Sequence, residues 1–483
     1  MNGNLAYAWL GILMIGARAH AQSACDQVQN FLSDRAVDVV CFESEDLTTN
    51  NEATTPMDNP DPALPPGALT PRTDRATIAA PDHTPIFRMV PGVQVQGRFA
   101  DDPTGQARFL LRLPNDWNHR LVVAGASGTR SEFNGDFAWS DFVVQRGYAY
   151  ASQNKGVLNL FVSTAEDPLA CRLNPTSPVF VHFYDNDPDK PFTQWQQYIV
   201  RTAELARGAL NAHYGRHPRR TYAVGTSNGG YQVRRAIELA PHLFDGGVDW
   251  EGTFVDDDGS NLLIDLPPAI RNMPAYVKSG YDANSEAAIN IRAAGYPQDI
   301  QQDIGPPPMM TLWERNLGQF WEVTQCQWQK RLDPAYDTYG SGPGNYVYYD
   351  RTDVTDVANQ LEAFEPTGRI RRPLVTVAGT MDGLLPIRRN ARAYESEVTE
   401  SGERRADYRL YEVQNGNHIE TYTAFYSQLE LIQPHAQHAF ELLVEHVEHD
   451  RPLPPSQCIP HGGRISNHPA QRGHCRQLFV ANP

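Results

Sequence analysis

Residues 221–230 read TYAVGTSNGG, and the fold prediction starts from this stretch. Its first four residues form a short apolar run, typical of a strand buried on both faces of a parallel sheet. The spacing after it indicates a helix. Between the two lies G-x-S-x-G, in the strand–turn–helix context in which this motif presents a nucleophile. Ser227 is therefore the predicted nucleophile and the Asn228 N–H a predicted oxyanion donor. A chance match in a Gly-rich turn is the alternative.

Runs with the character of strands occur on both sides of this stretch. They lie at residues 93–99, 109–113, 121–124, 147–151, 246–250, 374–378 and 408–413. A helix is predicted over residues 193–213 from the spacing of its apolar side chains. Alternating strands and helices predict an α/β fold, with a mostly parallel central sheet and helices on both of its faces.

A serine nucleophile needs a base, and the base needs an acid that orients it. Asp382 lies just beyond the run 374–378 and is the predicted acid, although a helix N-cap is the plainer interpretation. His418 follows the run 408–413 through an Asn-Gly turn and is the predicted base. Its alternative is a solvated or structural histidine. Three carboxylates are weaker candidates for the acid because no buried strand precedes them: Asp350, Asp353 and Asp356.

The loop after the run 121–124 is expected to supply the second oxyanion donor. Residues 125–128 read GASG, a small loop whose backbone is accessible. The N–H groups of Ala126 and Ser127 are the candidates. A Gly-rich turn with no role in catalysis explains the same residues.

Composition divides the chain into six predicted segments. They are a signal peptide (1–21), an N-terminal extension (22–85), a first part of the core (86–252), a lid insertion (253–363), a second part of the core (364–450) and a C-terminal tail (451–483). The insertion interrupts the strand–helix alternation and is rich in aromatic residues. These aromatic residues suit either an aryl or otherwise bulky substrate or the insertion's own core.

The first residues and the cysteines indicate an exported protein. An apolar run at 5–15 precedes Ala-His-Ala at 19–21, which predicts a signal peptide and a secreted or periplasmic location. A buried N-terminal helix is the alternative. Six cysteines then favour three disulfides. Proximity in the chain suggests Cys25–Cys41 and Cys458–Cys475, and the remaining Cys171 and Cys326 either pair or are separate buried thiols.

The net charge, the lengths of the apolar runs and the spacing of the cysteines also argue against several kinds of partner. The net charge is -16 at pH 7, which disfavours a nucleic-acid partner. After the first residues no apolar run is long enough to span a membrane. There is no CxxC pair to support a zinc site. Residues 256–258 read DDD, which is more simply a solvated turn than a calcium site. No metal and no cofactor is predicted.

At this point the motifs resemble a known family. The G-x-S-x-G turn, GTMDGLLP at 379–386 and GNH at 416–418 resemble those of α/β-hydrolase esterases, over roughly residues 86–450. The insertion and the segment 444–457 resemble the tannase and feruloyl-esterase branch, and are similar to secreted hydroxybutyrate-oligomer hydrolases. Tannase-type enzymes bridge a Cys before the nucleophile to a Cys beside the catalytic His, whereas Thr226 and Asn417 or Ile419 stand here.

The resemblance implies an α/β-hydrolase fold and hydrolysis of a small-molecule or oligomeric ester. Ser227, His418 and Asp382 would act through an acyl-enzyme, without a cofactor. The insertion would cover the site as a lid. Two other functions stay open at this stage. A serine peptidase would use the same triad, and a non-catalytic binding protein would keep only the fold.

Overall fold

The computed structural model describes residues 23–55, 84–128, 131–157, 161–174, 176–182, 192–336, 343–402 and 407–481. The predicted signal peptide (1–21) lies outside the described residues, as does most of the segment 48–85, which the sequence predicts to be extended.

Within the described residues, eleven strands form the central sheet, in the order β1-β2-β3-β5-β4-β9-β10-β11-β12-β13-β14. Their bounds are β1 (Ala36–Ser44), β2 (Gly92–Phe99), β3 (Arg108–Pro114), β4 (Arg120–Gly125), β5 (Ala149–Gln153), β9 (Arg220–Thr226), β10 (Gly246–Trp250), β11 (Leu374–Gly379), β12 (Tyr408–Val413), β13 (Gln457–Ile459) and β14 (Gln471–Arg472). Strands β5 to β13 in this order pair in parallel, and antiparallel strands flank them on both sides. The predicted, mostly parallel sheet is confirmed.

Helices cover both faces of this sheet. The core helices are α1 (Ala24–Leu32), α2 (Asp141–Val144), α3 (Thr193–Tyr214), α4 (Asn228–Leu239), α11 (Ala391–Glu400) and α12 (Gln433–His449). The burial of both faces of strand β4 explains why its sequence is apolar throughout. Leu121 and Val123 pack in one hydrophobic cluster with α3 and α4. Val122 packs in the opposite cluster with α12. A strand buried on both faces reads as a continuous apolar run.

The insertion between β10 and β11 folds around a hydrophobic cluster of its own. It carries α5 (Leu262–Lys278), α6 (Glu286–Ala293), α7 (Leu312–Asn316), α8 (Glu322–Leu332), α9 (Tyr348–Thr352) and α10 (Val357–Glu362). Trp313 and Trp321 are fully buried in this cluster. Most of the insertion's aromatic residues therefore form its own core, the second of the two interpretations made from the sequence.

Three disulfides connect the six cysteines, and the pairs are the ones proposed from the sequence. Cys25–Cys41 joins α1 to β1, and Cys458–Cys475 links β13 to the segment after β14. Cys171–Cys326 bridges 155 residues of sequence. It joins α8 of the insertion to a small antiparallel sheet of β6 (Phe161–Ser163), β7 (Cys171–Arg172) and β8 (Phe180–His182). The alternative of two separate thiols is wrong.

The sheet extends past the predicted limits of the core at both ends. Strand β1 lies within the predicted extension and pairs with β2, while β13 and β14 lie within the predicted tail. Among the described residues, none of the helices is long and apolar enough to span a membrane.

Candidate active site

The turn between β9 and α4 holds Ser227 in a strained conformation. Its φ is 59° and its ψ is -123°, a region that L-residues rarely adopt. A Cβ on Gly225 would lie 2.3 Å from the carbonyl oxygen of Gly229, and one on Gly229 would lie 2.5 Å from the carbonyl oxygen of Gly125. The glycines of the motif are therefore required by close backbone contacts. The tight turn places Ser227 at the carboxyl edge of the sheet.

The predicted base and acid are in direct contact. His418 Nδ1 lies 2.9 Å from Asp382 Oδ2, and both residues are buried. The other oxygen, Oδ1, accepts hydrogen bonds from the N–H groups of Leu384 (2.8 Å) and Leu385 (2.6 Å). These amides fix the carboxylate, which in turn orients the imidazole, so that Nε2 is left for proton transfer.

Two loops must approach closely for this contact to form. A Cβ on Gly379, at the end of β11, would lie 2.3 Å from the carbonyl oxygen of Gly416 in the base loop. The Met381 N–H donates to that same oxygen at 2.8 Å. The Asn415 N–H donates to Thr380 Oγ1 at 2.9 Å. Close backbone approach and hydrogen bonds thus join the two loops at residues adjacent to Asp382 and His418.

A segment after Cys475 adds further bonds to both loops. Thr380 Oγ1 donates to the carbonyl oxygen of Leu478. Asn415 exchanges two hydrogen bonds with the backbone of Val480, at 2.7 and 2.9 Å. Residues 477–480 therefore stabilise the loops from outside the sheet.

The predicted oxyanion groups lie where the loop after β4 meets the nucleophile turn. Gln232 Nε2 joins the two, donating to the carbonyl oxygens of Ala126 (2.9 Å) and Asn228 (3.0 Å). The Ser127 N–H already donates to Asn134 Oδ1 at 3.1 Å. The Ala126 and Asn228 N–H groups have no acceptor among the described residues. Of the two candidates in this loop, Ala126 is thus the one whose N–H is available.

Ser227 and His418 line one cavity of about 550 Å³. No hydrogen bond joins Ser227 Oγ to His418 within the described part of the chain, a common state of such pairs before substrate binds. Residues of the insertion also line the cavity, on α7 and α8 and in the segment between them, among them Phe320 and Trp328. A cavity of this size suits a small ligand.

Glu251 is a third buried group beside the base, and the sequence reasoning missed it. It follows β10, and its Oε2 lies 3.6 Å from His418 Nδ1 without a hydrogen-bond partner. Oε1 accepts from the Gly379 N–H at 3.0 Å. The sequence does place Glu251 directly after a buried strand. Only the strand order, which puts β10 next to β11, brings it to His418.

These carboxylates shift the titration of the site. Burial raises the pKa of Glu251, and the nearby Asp382 carboxylate raises it further. Burial alone would lower the pKa of His418, but Asp382 and Glu251 more than offset it and raise the pKa to about 9. An imidazolium at this position is therefore well stabilised.

In the described part of the chain, two clusters of side chains have spacings that could suit a metal ion. One is Glu251, Asp382 and His418, whose imidazole is already hydrogen-bonded to Asp382. The other is Asp256, Asp257 and Glu365, which is half-exposed. In the second cluster the Asp258 N–H donates to Asp256 Oδ1 at 2.9 Å, as in an ordinary turn, and the Asp257 N–H donates to Glu365 Oε2 at 3.0 Å. Neither arrangement points to a metal over a plain carboxylate role.

Sequence similarity to known proteins covers part of the chain. Residues 344–476 match the family model described as 3HB-oligomer hydrolase. A D-(-)-3-hydroxybutyrate oligomer hydrolase of Burkholderia thailandensis is 31% identical over 203 residues, covering 41% of this chain and 25% of the relative. The same enzyme of Burkholderia vietnamiensis is 30% identical over 126 residues, covering 24% of this chain and 18% of the relative. The match thus spans a quarter or less of either relative's length.

The structure also resembles that of feruloyl esterase B from Aspergillus oryzae. The TM-score is 0.51 at 11% sequence identity, and the match covers 89% of this chain and 92% of that one. At this identity the likeness concerns the fold alone, and it confirms the α/β-hydrolase fold inferred from the motifs. The suspected resemblance to hydroxybutyrate-oligomer hydrolases and feruloyl esterases is confirmed as a resemblance.

Proposed function

We propose that this protein hydrolyses carboxylic esters with Ser227 as nucleophile, His418 as general base and Asp382 as the orienting acid. The observation that carries the proposal is the 2.9 Å contact between His418 Nδ1 and Asp382 Oδ2, in one cavity with a serine on a strained strand–helix turn. The three residues follow separate strands in the chain order Ser, Asp, His that is expected for this fold, which supports the proposal.

The reaction follows from the positions of these groups. Ser227 Oγ attacks the ester carbonyl carbon while its proton passes to His418 Nε2. Asp382 stabilises the imidazolium through Nδ1. The tetrahedral intermediate collapses, the proton moves from His418 to the leaving alkoxide, and an acyl-Ser227 ester remains. Water then attacks that ester with His418 again as base, releasing the acid and restoring the serine. The side chains and water suffice, and no cofactor takes part.

The oxyanion of each tetrahedral intermediate is stabilised by backbone amides. The N–H groups of Asn228 and Ala126 are the donors, since neither has another acceptor among the described residues. Gln232 holds the two chain segments together by bonding to the carbonyl oxygens of both residues. Donors fixed before the reaction need no reorganisation as charge develops.

The substrate proposed is a short oligoester. The relatives matched in sequence are named as hydrolases of hydroxybutyrate oligomers, and the cavity of about 550 Å³ has room for a small oligomer. Three disulfides support an oxidising compartment, and hence export of the protein.

A substrate comparison tests this function. The protein should release nitrophenol from p-nitrophenyl butyrate and monomer from hydroxybutyrate oligomers, with little action on matched p-nitroanilide peptides. A covalent serine probe should label Ser227 in the intact protein and nothing else. Faster cleavage of the anilides would indicate a peptidase, and an absence of both turnover and labelling would indicate a binding protein.

A further inference from the structure

Arg315 is a buried cation in the cavity that contains Ser227 and His418. It lies on α7 of the insertion and is 9% exposed. Its Nη2 donates to Gln302 Oε1 at 2.6 Å, and its Nε lies 3.4 Å from the Tyr426 hydroxyl. The guanidinium carbon lies 4.1 Å from the ring centroid of Phe425. The stacking and the hydrogen bonds give the planar group a fixed orientation.

Several other largely buried arginines of this protein have a carboxylate partner. The pairs and their distances are Arg112–Asp136 (2.8 Å), Arg234–Asp249 (2.7 Å), Arg351–Asp333 (2.6 Å) and Arg392–Glu412 (2.7 Å). Arg315 has no carboxylate within ion-pair distance among the described residues. A buried charge without a counter-charge is costly. Acidic residues outnumber basic ones 57 to 41, so a shortage of acids does not explain the missing partner.

The described residues that line the cavity carry more positive than negative charge. They include Lys155, Arg315 and Arg331, against one carboxylate, Glu420. Lys155 donates to the carbonyl oxygens of Ser127 and Gly128, and Glu420 Oε1 accepts from the N–H groups of Ile432 and Gln433. The Asp382 and Glu251 carboxylates, beside His418, do not belong to this lining. Cations outnumber carboxylates among these lining residues, whereas the whole chain has a net charge of -16, and this favours a negatively charged ligand at the lining.

We propose that Arg315 binds a carboxylate of the substrate, so that the preferred esters are those that carry a free acid group. This inference rests on the proposed esterase function and narrows its substrate class. A linear dimer of a 3-hydroxy acid has the required chemistry, with one ester bond for Ser227 and one terminal carboxylate for Arg315. An arginine matches a carboxylate with two parallel N–H donors. The insertion would thus select acidic oligoesters over neutral esters.

The test compares two substrates that differ only at that terminus. One is the linear dimer of 3-hydroxybutyrate, and the other is its carboxamide, in which CONH₂ replaces the carboxylate. The wild type should have the higher kcat/KM for the acid. In Arg315→Gln the acid-to-amide ratio of kcat/KM should fall by about 10- to 100-fold, the loss expected for a hydrogen bond to a charged group. Arg292→Gln, an arginine of the insertion that does not line the cavity, is the matched control and should keep the ratio.

A second measurement does not depend on cleavage of the dimers or on the folding of the Gln variant. In wild-type protein, 3-hydroxybutyrate should inhibit p-nitrophenyl butyrate hydrolysis at lower concentration than 3-hydroxybutyramide. Equal inhibition by acid and amide, or an unchanged acid-to-amide ratio in Arg315→Gln, would overturn the carboxylate site while leaving the esterase function intact. A wild type that cleaves neither the dimers nor p-nitrophenyl butyrate would refute the esterase function itself.

Discussion

The carboxyl edge of the sheet and the insertion above it are built in different ways. At the edge, backbone contacts set the positions: Gly225 against Gly229, Gly379 against Gly416, and amides that hold the Asp382 carboxylate. In the insertion, side chains set them, through a buried cluster of aromatic residues and the Cys171–Cys326 bridge. Backbone contacts tolerate little displacement, which suits proton transfer over hydrogen-bond distances.

This difference suggests a functional division between the two regions. The edge would carry out the chemistry, and the insertion would choose which ester reaches it. Variants at the edge should then lose turnover for every ester alike. Variants in the insertion should change the ratio between esters and leave the turnover of the smallest one largely intact. The predictions below test that division.

The largest effect is expected for Ser227→Ala. Removing the nucleophile should lower kcat for p-nitrophenyl butyrate and for oligomers alike, by roughly 10⁴- to 10⁶-fold, as in other serine hydrolases with a deleted triad member. Steady-state kinetics on both substrates measure it. Ser260→Ala, at another buried serine that does not line the cavity, is the control. Labelling by a serine probe that persists in Ser227→Ala would move the nucleophile elsewhere.

Asp382→Asn should have the next largest effect. The amide keeps the shape but presents the wrong hydrogen-bonding group to His418, so kcat should fall by roughly 10²- to 10⁴-fold for all esters. Thermal unfolding should show a folded protein. Asp265→Asn, at a buried carboxyl outside the cavity, should retain turnover. If Asp382→Asn is nearly as active as the wild type and the double variant with Glu251→Gln is inactive, then Glu251 serves as the acid.

Removing the Cys171–Cys326 bridge should change the selectivity between substrates more than the rate of ester cleavage itself. The double Ala variant should lose stability, by about 3–5 kcal/mol on the entropic model for so long a loop. The ratio of kcat/KM for a bulky aryl ester to that for p-nitrophenyl butyrate should change severalfold. The reason is that the bridge no longer holds α8, which lines the cavity, against the small sheet. The Cys25–Cys41 double Ala variant is the control, since that bridge is remote from the cavity. The same change of ratio in both variants would contradict the division.

The smallest effect is expected for Glu251→Gln. A carboxylate 3.6 Å from His418 Nδ1 favours the charged imidazole and helps to raise the pKa of His418. The base must be neutral to act, so removing this charge lowers that pKa and moves the acidic limb of kcat/KM to lower pH, by roughly one unit. Glu322→Gln, at a buried carboxyl of the insertion outside the cavity, should leave the limb in place. If the acidic limb of the kcat/KM profile stays in place in Glu251→Gln, then Glu251 is neutral when His418 titrates.

Much of the edge could be predicted from the sequence because each feature has a local signal. Ser227, Asp382 and His418 each follow an apolar run and a short turn, and the structure brings Asp382 and His418 together. Ser227 lines the same cavity. The apolar runs are continuous because both faces of the strands are buried, and this makes them visible in a single sequence.

The rest depends on contacts between distant parts of the chain. Glu251 reaches His418 only because β10 lies between β9 and β11, an order that no local pattern reveals. Arg315 differs from the buried arginines paired with carboxylates because no carboxylate lies within ion-pair distance of it among the described residues. Only the folded chain shows this. Helix α5 contains Pro267, Pro268 and Pro274, which sequence rules count as helix breakers. Packing in the insertion's core outweighs that preference, since Leu263 and Leu266 of the helix are fully buried.

The hydrogen bonds from residues 477–480 also bear on how the protein is made. A ribosome supplies the chain from its N-terminus, so the loops around Thr380 and Asn415 emerge 98 and 65 residues before their partners Leu478 and Val480. A nascent chain halted after His418 would contain Ser227, Asp382 and His418 but would lack the hydrogen bonds that hold the loops of Asp382 and His418 from outside the sheet. The order of synthesis therefore delays these hydrogen bonds until every strand of the described sheet has been translated.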